Sequence, residues 1–96
     1  MFNIKNFESL ILSFKDKEID TVIISQALSK YCNESIDVIK NIVSFKVLRG
    51  FSQNNEIIRG FINYNDMTAS VELDYIEKRY IMKSLNKIYK KRANHF

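Results

Sequence analysis

The sequence predicts an α+β domain: two or three N-terminal helices, a β-hairpin or three-stranded antiparallel meander, and a basic C-terminal helix. Three observations predict it. Apolar residues recur at i, i+3, i+4 and i+7 spacing through the first part of the chain, and strict alternation surrounds Asn65-Asp66. The last stretch combines an apolar face at helical spacing with seven basic residues and no acid between 78 and 96.

Asn3 is a suitable N-cap for a first helix carrying Ile4, Phe7, Leu10, Ile11 and Phe14 on one face. Lys15 to Ile19 reads as a short charged connection, after which Asp20 or Thr21 caps a second helix with Ile24, Ala27, Leu28 and Tyr31 on one side. The two read as an antiparallel pair. Asn33 ends the second helix, and Asn33 or Ser35 caps a third bearing Ile36, Ile39, Ile42 or Val43, and Val47, with Gly50 as its left-handed C-terminal residue. The reading favours helix through about Leu48. Val43, Phe45 and Val47 also alternate, so a strand joined through Ser52 to Asn55 is the alternative, with Phe45 opposite Ile62 and Val47 opposite Gly60.

Asn65-Asp66 serves as a two-residue turn, because Asn and Asp tolerate the positive backbone angles such hairpins need. Counting outward sets Tyr64 opposite Met67, Ile62 opposite Ala69, Gly60 opposite Val71 and Ile58 opposite Leu73, all on one apolar face. Arg59 then falls opposite Glu72, and a slip of one residue loses both the apolar match and the charge pair. Gly60, on the buried face, is expected to let a helix approach closely. Asp74 caps a last helix running to about Arg92, with Tyr75, Ile81, Met82, Leu85, Ile88 and Tyr89 on its inner face and Ala93 to Phe96 as a frayed tail.

At 96 residues and 46% hydrophobic content the chain is expected to form a single domain over 1–96. No secretory signal or membrane span is expected, since Met1 to Lys5 lead into a charged amphipathic segment and no long apolar run occurs. The one cysteine, Cys32, has no partner for a disulfide, which fits a cytoplasmic protein. Abundant Ile, Lys, Asn, Phe and Tyr with no proline suggest an AT-rich gene of a low-GC bacterium or a phage. The net charge of +4 is unevenly spread: residues 1–77 hold 8 basic and 11 acidic side chains, a balance of −3, and residues 78–96 supply +7. A basic end on an acidic body attracts phosphate, an acidic protein or a second copy, although lysines also complement a helix C-terminus.

Catalytic chemistry finds little to work with. His95 is the lone histidine and lies second from the last residue, and one Cys with one His makes no zinc set. Asp16, Glu18 and Asp20 imitate the start of a calcium loop, but Thr21 and Ala27 occupy the offsets of its glycine and terminal glutamate. Two glycines ten residues apart make no phosphate loop. Neither an enzyme, a cofactor nor a metal is expected.

The order helix, helix, helix, hairpin resembles winged helix-turn-helix DNA-binding domains, through Leu28 and Cys32 in the second helix, Asn33 at the turn and Ile36, Ile39 and Ile42 in the third. The resemblance covers roughly Asp20 to Tyr75 and implies binding of double-stranded DNA through Lys40, Asn41, Ser44 and Lys46. Glu34, Asp37 and a wing tip without a base depart from that pattern. Arg79, Lys83, Lys87, Lys90 and Lys91, interleaved with Tyr80, form a second candidate phosphate-tracking stripe. The first expectation is therefore a small DNA-binding transcriptional regulator of winged-helix type, dimerising through the C-terminal helix face. The alternative is a phage or mobile-element protein that binds and modulates a host protein through Phe51, Phe61, Ile76 and Tyr80.

Overall fold

A computed structural model describes residues 2–91. Three short helices, α1 (Ile4–Leu12), α2 (Thr21–Cys32) and α3 (Ile36–Ile39), precede four strands, β1 (Val43–Ser52), β2 (Asn55–Tyr64), β3 (Met67–Ile76) and β4 (Arg79–Lys90). The strands form one antiparallel sheet in the order β1-β2-β3-β4, a meander in which each strand pairs with its neighbour in sequence.

The helix starts follow local chemistry. Asn3 and Asn6 bond reciprocally, each side chain accepting from the other's backbone N–H at 3.0 and 2.9 Å. Asp20 accepts from the Ile23 N–H at 2.7 Å, and Asn33 ends α2 in the left-handed conformation at φ 55°. The helices lie on one face of the sheet, α1 against β3 and β4, α2 against β1 and α3. Phe7, Leu10, Ile11, Phe14, Ile24, Leu28 and Ile39 meet Ile62, Met67, Ala69, Val71, Leu73 and Met82 in the buried core.

The hairpin around Asn65-Asp66 has the register counted from the sequence, from Tyr64↔Met67 to Ile58↔Leu73. Three expectations are corrected. The third helix stops at Ile39, and Val43 onward is strand: Phe45 stands opposite Ile62 and Val47 opposite Gly60, so the alternation found a partner strand to bury against. Gly50 lies within β1 without a positive φ and caps no helix. Gly60 makes room for the Phe45 ring of the neighbouring strand rather than for a helix.

The largest correction concerns the C-terminus, where the expected basic helix is the strand β4. Two bulges explain the deception. Pairing steps from Lys87 to Leu85 and from Ser84 to Met82, leaving Asn86 and Lys83 as inserted residues. The inward residues Tyr80, Met82, Leu85 and Ile88 are thereby spaced by two, three and three, which imitates a helix face. Asp74 lies inside β3 and caps nothing; Arg92 and the tail Ala93 to Phe96, with His95, lie outside the described residues.

The helices cover only one end of the sheet. Pairing of β2 with β3 stops at Ile58↔Leu73, whereas β1 and β2 continue to Ser52↔Asn55, and β3 and β4 to Ile76↔Arg79. The sheet therefore ends in two hairpin arms. Arg49 links them: its guanidinium makes two bonds to Glu56, at 2.9 and 3.0 Å, and lies 4.7 Å from the centre of the Tyr75 ring. That hydrogen bonding holds the Glu56 carboxyl below its usual range.

Candidate nucleic-acid interface

Alternation along each strand divides the sheet into a helix-covered face and a helix-free face. On the free face the register places residues from four strands in rows. One row runs Lys46, Phe61, Ser70, Lys87; the next runs Ser44, Asn63, Thr68, Tyr89. Strands about 4.8 Å apart put the Lys46 and Lys87 backbones about 14 Å from one another, with Phe61 between.

The second row is held together by hydrogen bonds. The Asn63 amide donates to the Ser44 hydroxyl at 3.1 Å, and the Thr68 hydroxyl donates to the Asn63 carbonyl at 2.7 Å. This chain of polar side chains fixes the surface on which Tyr89, 41% exposed, presents its ring. The Lys87 ammonium lies 5.3 Å from the centre of that ring. Arg59 adds a third cation on the adjacent row, opposite Glu72, although the two side chains do not close to ion-pair distance.

The predicted basic residues fall into two groups. Lys46 and Lys87, expected on different helices, share the free face and have no acidic partner within 4 Å among the described residues. The others are engaged or lie elsewhere. Lys40 pairs with Asp37 at 3.1 Å beyond α3, and the Asn41 side chain donates to the Asp37 carbonyl at 2.9 Å. Arg79 pairs with Glu18 at 3.3 Å and Glu77 at 3.5 Å, Lys83 with Asp74 at 3.5 Å, and Lys90 with Asp66 at 3.6 Å. The Lys91 N–H donates to the Asp66 carbonyl at 2.6 Å at the end of the described chain.

The alternative set divides in the same way. Phe61 and Ile76 belong to the free face, Phe61 half-buried at its centre and Ile76 exposed at the tip of the β3-β4 arm. Phe51 and Tyr80 project from the helix-covered face, Phe51 beyond the helices at 78% exposure and Tyr80 half-buried 6.5 Å from Phe45. Sequence reasoning put Arg59 and Phe61 on one side of the hairpin but did not join them to Lys46 and Lys87, and it missed Tyr89 as a member of this surface. It assigned Tyr89 to a buried helix face, because the bulges in β4 hid the alternation that would have placed it outward.

A separate cavity of about 470 Å³ opens between α1, α2 and the end of β2, lined by Phe2, Asn6, Tyr31, Cys32, Glu34 and Tyr64. Phe2 packs edge-on against Tyr31 and Tyr64 at 5.2 and 5.3 Å. Burial, with the Cys32 thiol 3.6 Å away, pushes the Tyr64 hydroxyl up to about 12. These contacts seal the N-terminal segment onto the core.

No group of three or more His, Cys, Asp or Glu side chains is placed to hold a metal, and no helix is long and apolar enough to cross a membrane, among the described residues. Comparisons with protein-family models, curated proteins and solved structures found no match.

Proposed function

We propose that the protein is a non-enzymatic, cytoplasmic nucleic-acid-binding module that works through the helix-free face of its sheet. The observation that carries this reading is the row Lys46, Phe61, Ser70, Lys87, bordered by Tyr89 and Arg59. It joins cations without an acidic partner among the described residues to aromatic rings on one face, with the Ser70 hydroxyl buried between them. Acids are absent from these two rows; Glu72 and Asp74 lie toward the arms. Cations about 14 Å apart suit a strand of phosphates laid across the sheet, and the half-buried Phe61 ring between them with the exposed Tyr89 ring beside them suits stacked bases.

The helix-free face presents no helix to a major groove and α3, the expected recognition helix, has only four residues, so the surface favours single-stranded nucleic acid over the duplex that the winged-helix resemblance implied. Regulation of transcription would then act through such a strand. A second reading, docking on another protein, is favoured by the exposed apolar side chains of the arms, Ile57 and Ile76 on the free face among them.

Fluorescence anisotropy of labelled single-stranded and duplex oligonucleotides, at low and near-physiological salt, tests the proposal. The expected result is salt-sensitive binding, tighter for the single strand. Absence of binding to either at low salt would overturn it.

A further inference from the structure

The chain closes one edge of its sheet and leaves the other open. Along β4, the Asp16 N–H donates to the Met82 carbonyl at 2.7 Å, the Met82 N–H to the Lys17 carbonyl at 3.0 Å, and the Ile19 N–H to the Tyr80 carbonyl at 2.9 Å. The connection between α1 and α2 thus covers that edge, and beyond it the bulges at Lys83 and Asn86 and the charges of Lys83, Lys87 and Lys90 interrupt it. All are devices that prevent strand addition. The ten residues of β1 have no bulge and no covering segment among the described residues.

The hydrogen-bond phase of β1 follows from both of its ends. A two-residue turn at Gln53-Asn54 makes Ser52 and Asn55 a bonded pair, and at the other end the Asn65 N–H donates to the Ile42 carbonyl at 2.9 Å. Even-numbered residues therefore bond to β2. Val43, Phe45, Val47, Arg49 and Phe51 turn their N–H and C=O groups to the open side.

We propose that a second copy of this chain pairs with this edge, β1 running antiparallel to its counterpart about a two-fold axis through Leu48, so that two four-stranded sheets become one of eight strands. The side chains select this register. It sets Leu48 against Leu48, Phe51 against Phe45, Arg49 against Val47, Lys46 against Gly50 and Ser44 against Ser52. Leu48 and Phe51 are 63% and 78% exposed in the single chain, and each gains an apolar partner. The charges agree: Arg49 is already neutralised by Glu56, and Lys46 meets Gly50, where the space around the α-carbon is open. An axis through Lys46 would oppose two lysines, an axis through Arg49 would set Leu48 against Gly50 and leave it without an apolar partner, and an axis through Val47 would set Phe45 against Arg49 and Lys46 against Leu48. Because such an axis is perpendicular to the sheet, both helix-free faces lie on the same side and form one continuous surface. The dimer does not depend on what that surface binds.

Sedimentation velocity over a concentration series, with Leu48→Lys alongside, tests the proposal. The wild-type chain is expected to reach twice the monomer mass, and Leu48→Lys, an exposed position that leaves the fold intact, to weaken the association by at least tenfold. Leu48→Cys gives the register. Residues opposite one another at a non-bonded position lie within disulfide reach, so oxidation should link position 48 of two chains, located by peptide mass spectrometry, while Ser84→Cys on β4 stays unlinked. A wild-type chain that remains monomeric into the high micromolar range, or a dimer that neither Leu48→Lys nor Leu48→Cys affects, would overturn it.

Discussion

The ring of Phe45 occupies the space that a side chain on Gly60 would need: a β-carbon there would lie 2.8 Å from Phe45 Cε1 and 2.9 Å from Leu73 Cδ1. Gly60 is on the buried face of β2, and its missing side chain is what lets β1 and β3 pack their apolar residues across it. Gly60→Ala should therefore destabilise the protein by about 1–3 kcal/mol through overpacking. Urea denaturation would measure this, and Phe45→Leu in the same chain should recover part of the stability. Gly50→Ala, at an open position, should have a much smaller effect.

The two lysines of the free-face row supply the next test. Lys46→Glu and Lys87→Glu should each weaken single-strand binding several-fold at low salt and lower the salt slope by about 0.7 for each phosphate no longer neutralised. Lys40→Glu and Lys90→Glu, whose side chains pair with Asp37 and Asp66 away from that row, should weaken it less. Anisotropy titrations of the four variants at several salt concentrations would separate the two groups.

Glu77 and Lys78 turn the chain between β3 and β4 at φ 53° and 63°, angles that favour Asn and Gly. Replacing them together by Asn and Gly should stabilise the fold by about 1 kcal/mol, by relieving left-handed backbone cost at the turn. A higher urea midpoint with an unchanged slope would show it. A lower midpoint would mean that the ion pair of Glu77 with Arg79 outweighs the backbone effect.

Tyr64 gives the expected alkaline response. Its hydroxyl is pushed up to about 12 by burial, from an ordinary value of 10.0. Below pH 10 the group is neutral in both folded and unfolded chains; between 10 and 12 the unfolded chain loses the proton first, so stability falls as pH rises through that window. A spectrophotometric titration should show one tyrosine ionising last, and Tyr64→Phe should remove that phase and flatten the decline of Tm above pH 10.

Much of the fold can be read from local residues. Asn3, Asp20 and Ser35 mark the helix starts because a side-chain oxygen two or three residues from unsatisfied N–H groups has one good geometry. Asn65, in the left-handed region at φ 57°, marks the central hairpin, whose register follows from its apolar face. The candidate surface was only half visible. Lys46 and Lys87 were recognisable as candidates, but no local feature puts residues 41 positions apart in one row, and Glu77 and Lys78 carry no turn signal to announce the strand that brings them together.

The sequence by itself determined the helix caps, the turn at Asn65-Asp66, the two-sided character of β2 and β3, and the basic balance of the last stretch, because each depends on residues close together in the chain. Tertiary structure decided the rest. Val43 to Ser52 became a strand because β2 offered an apolar face and a free row of backbone groups, although its own pattern also suited a helix. Arg79 to Lys90 became a strand because pairing with β3 could absorb two inserted residues as bulges while still burying Met82 and Leu85 against the core. When one spacing of apolar residues is compatible with both a helix and a bulged strand, the partner strand's backbone settles which forms.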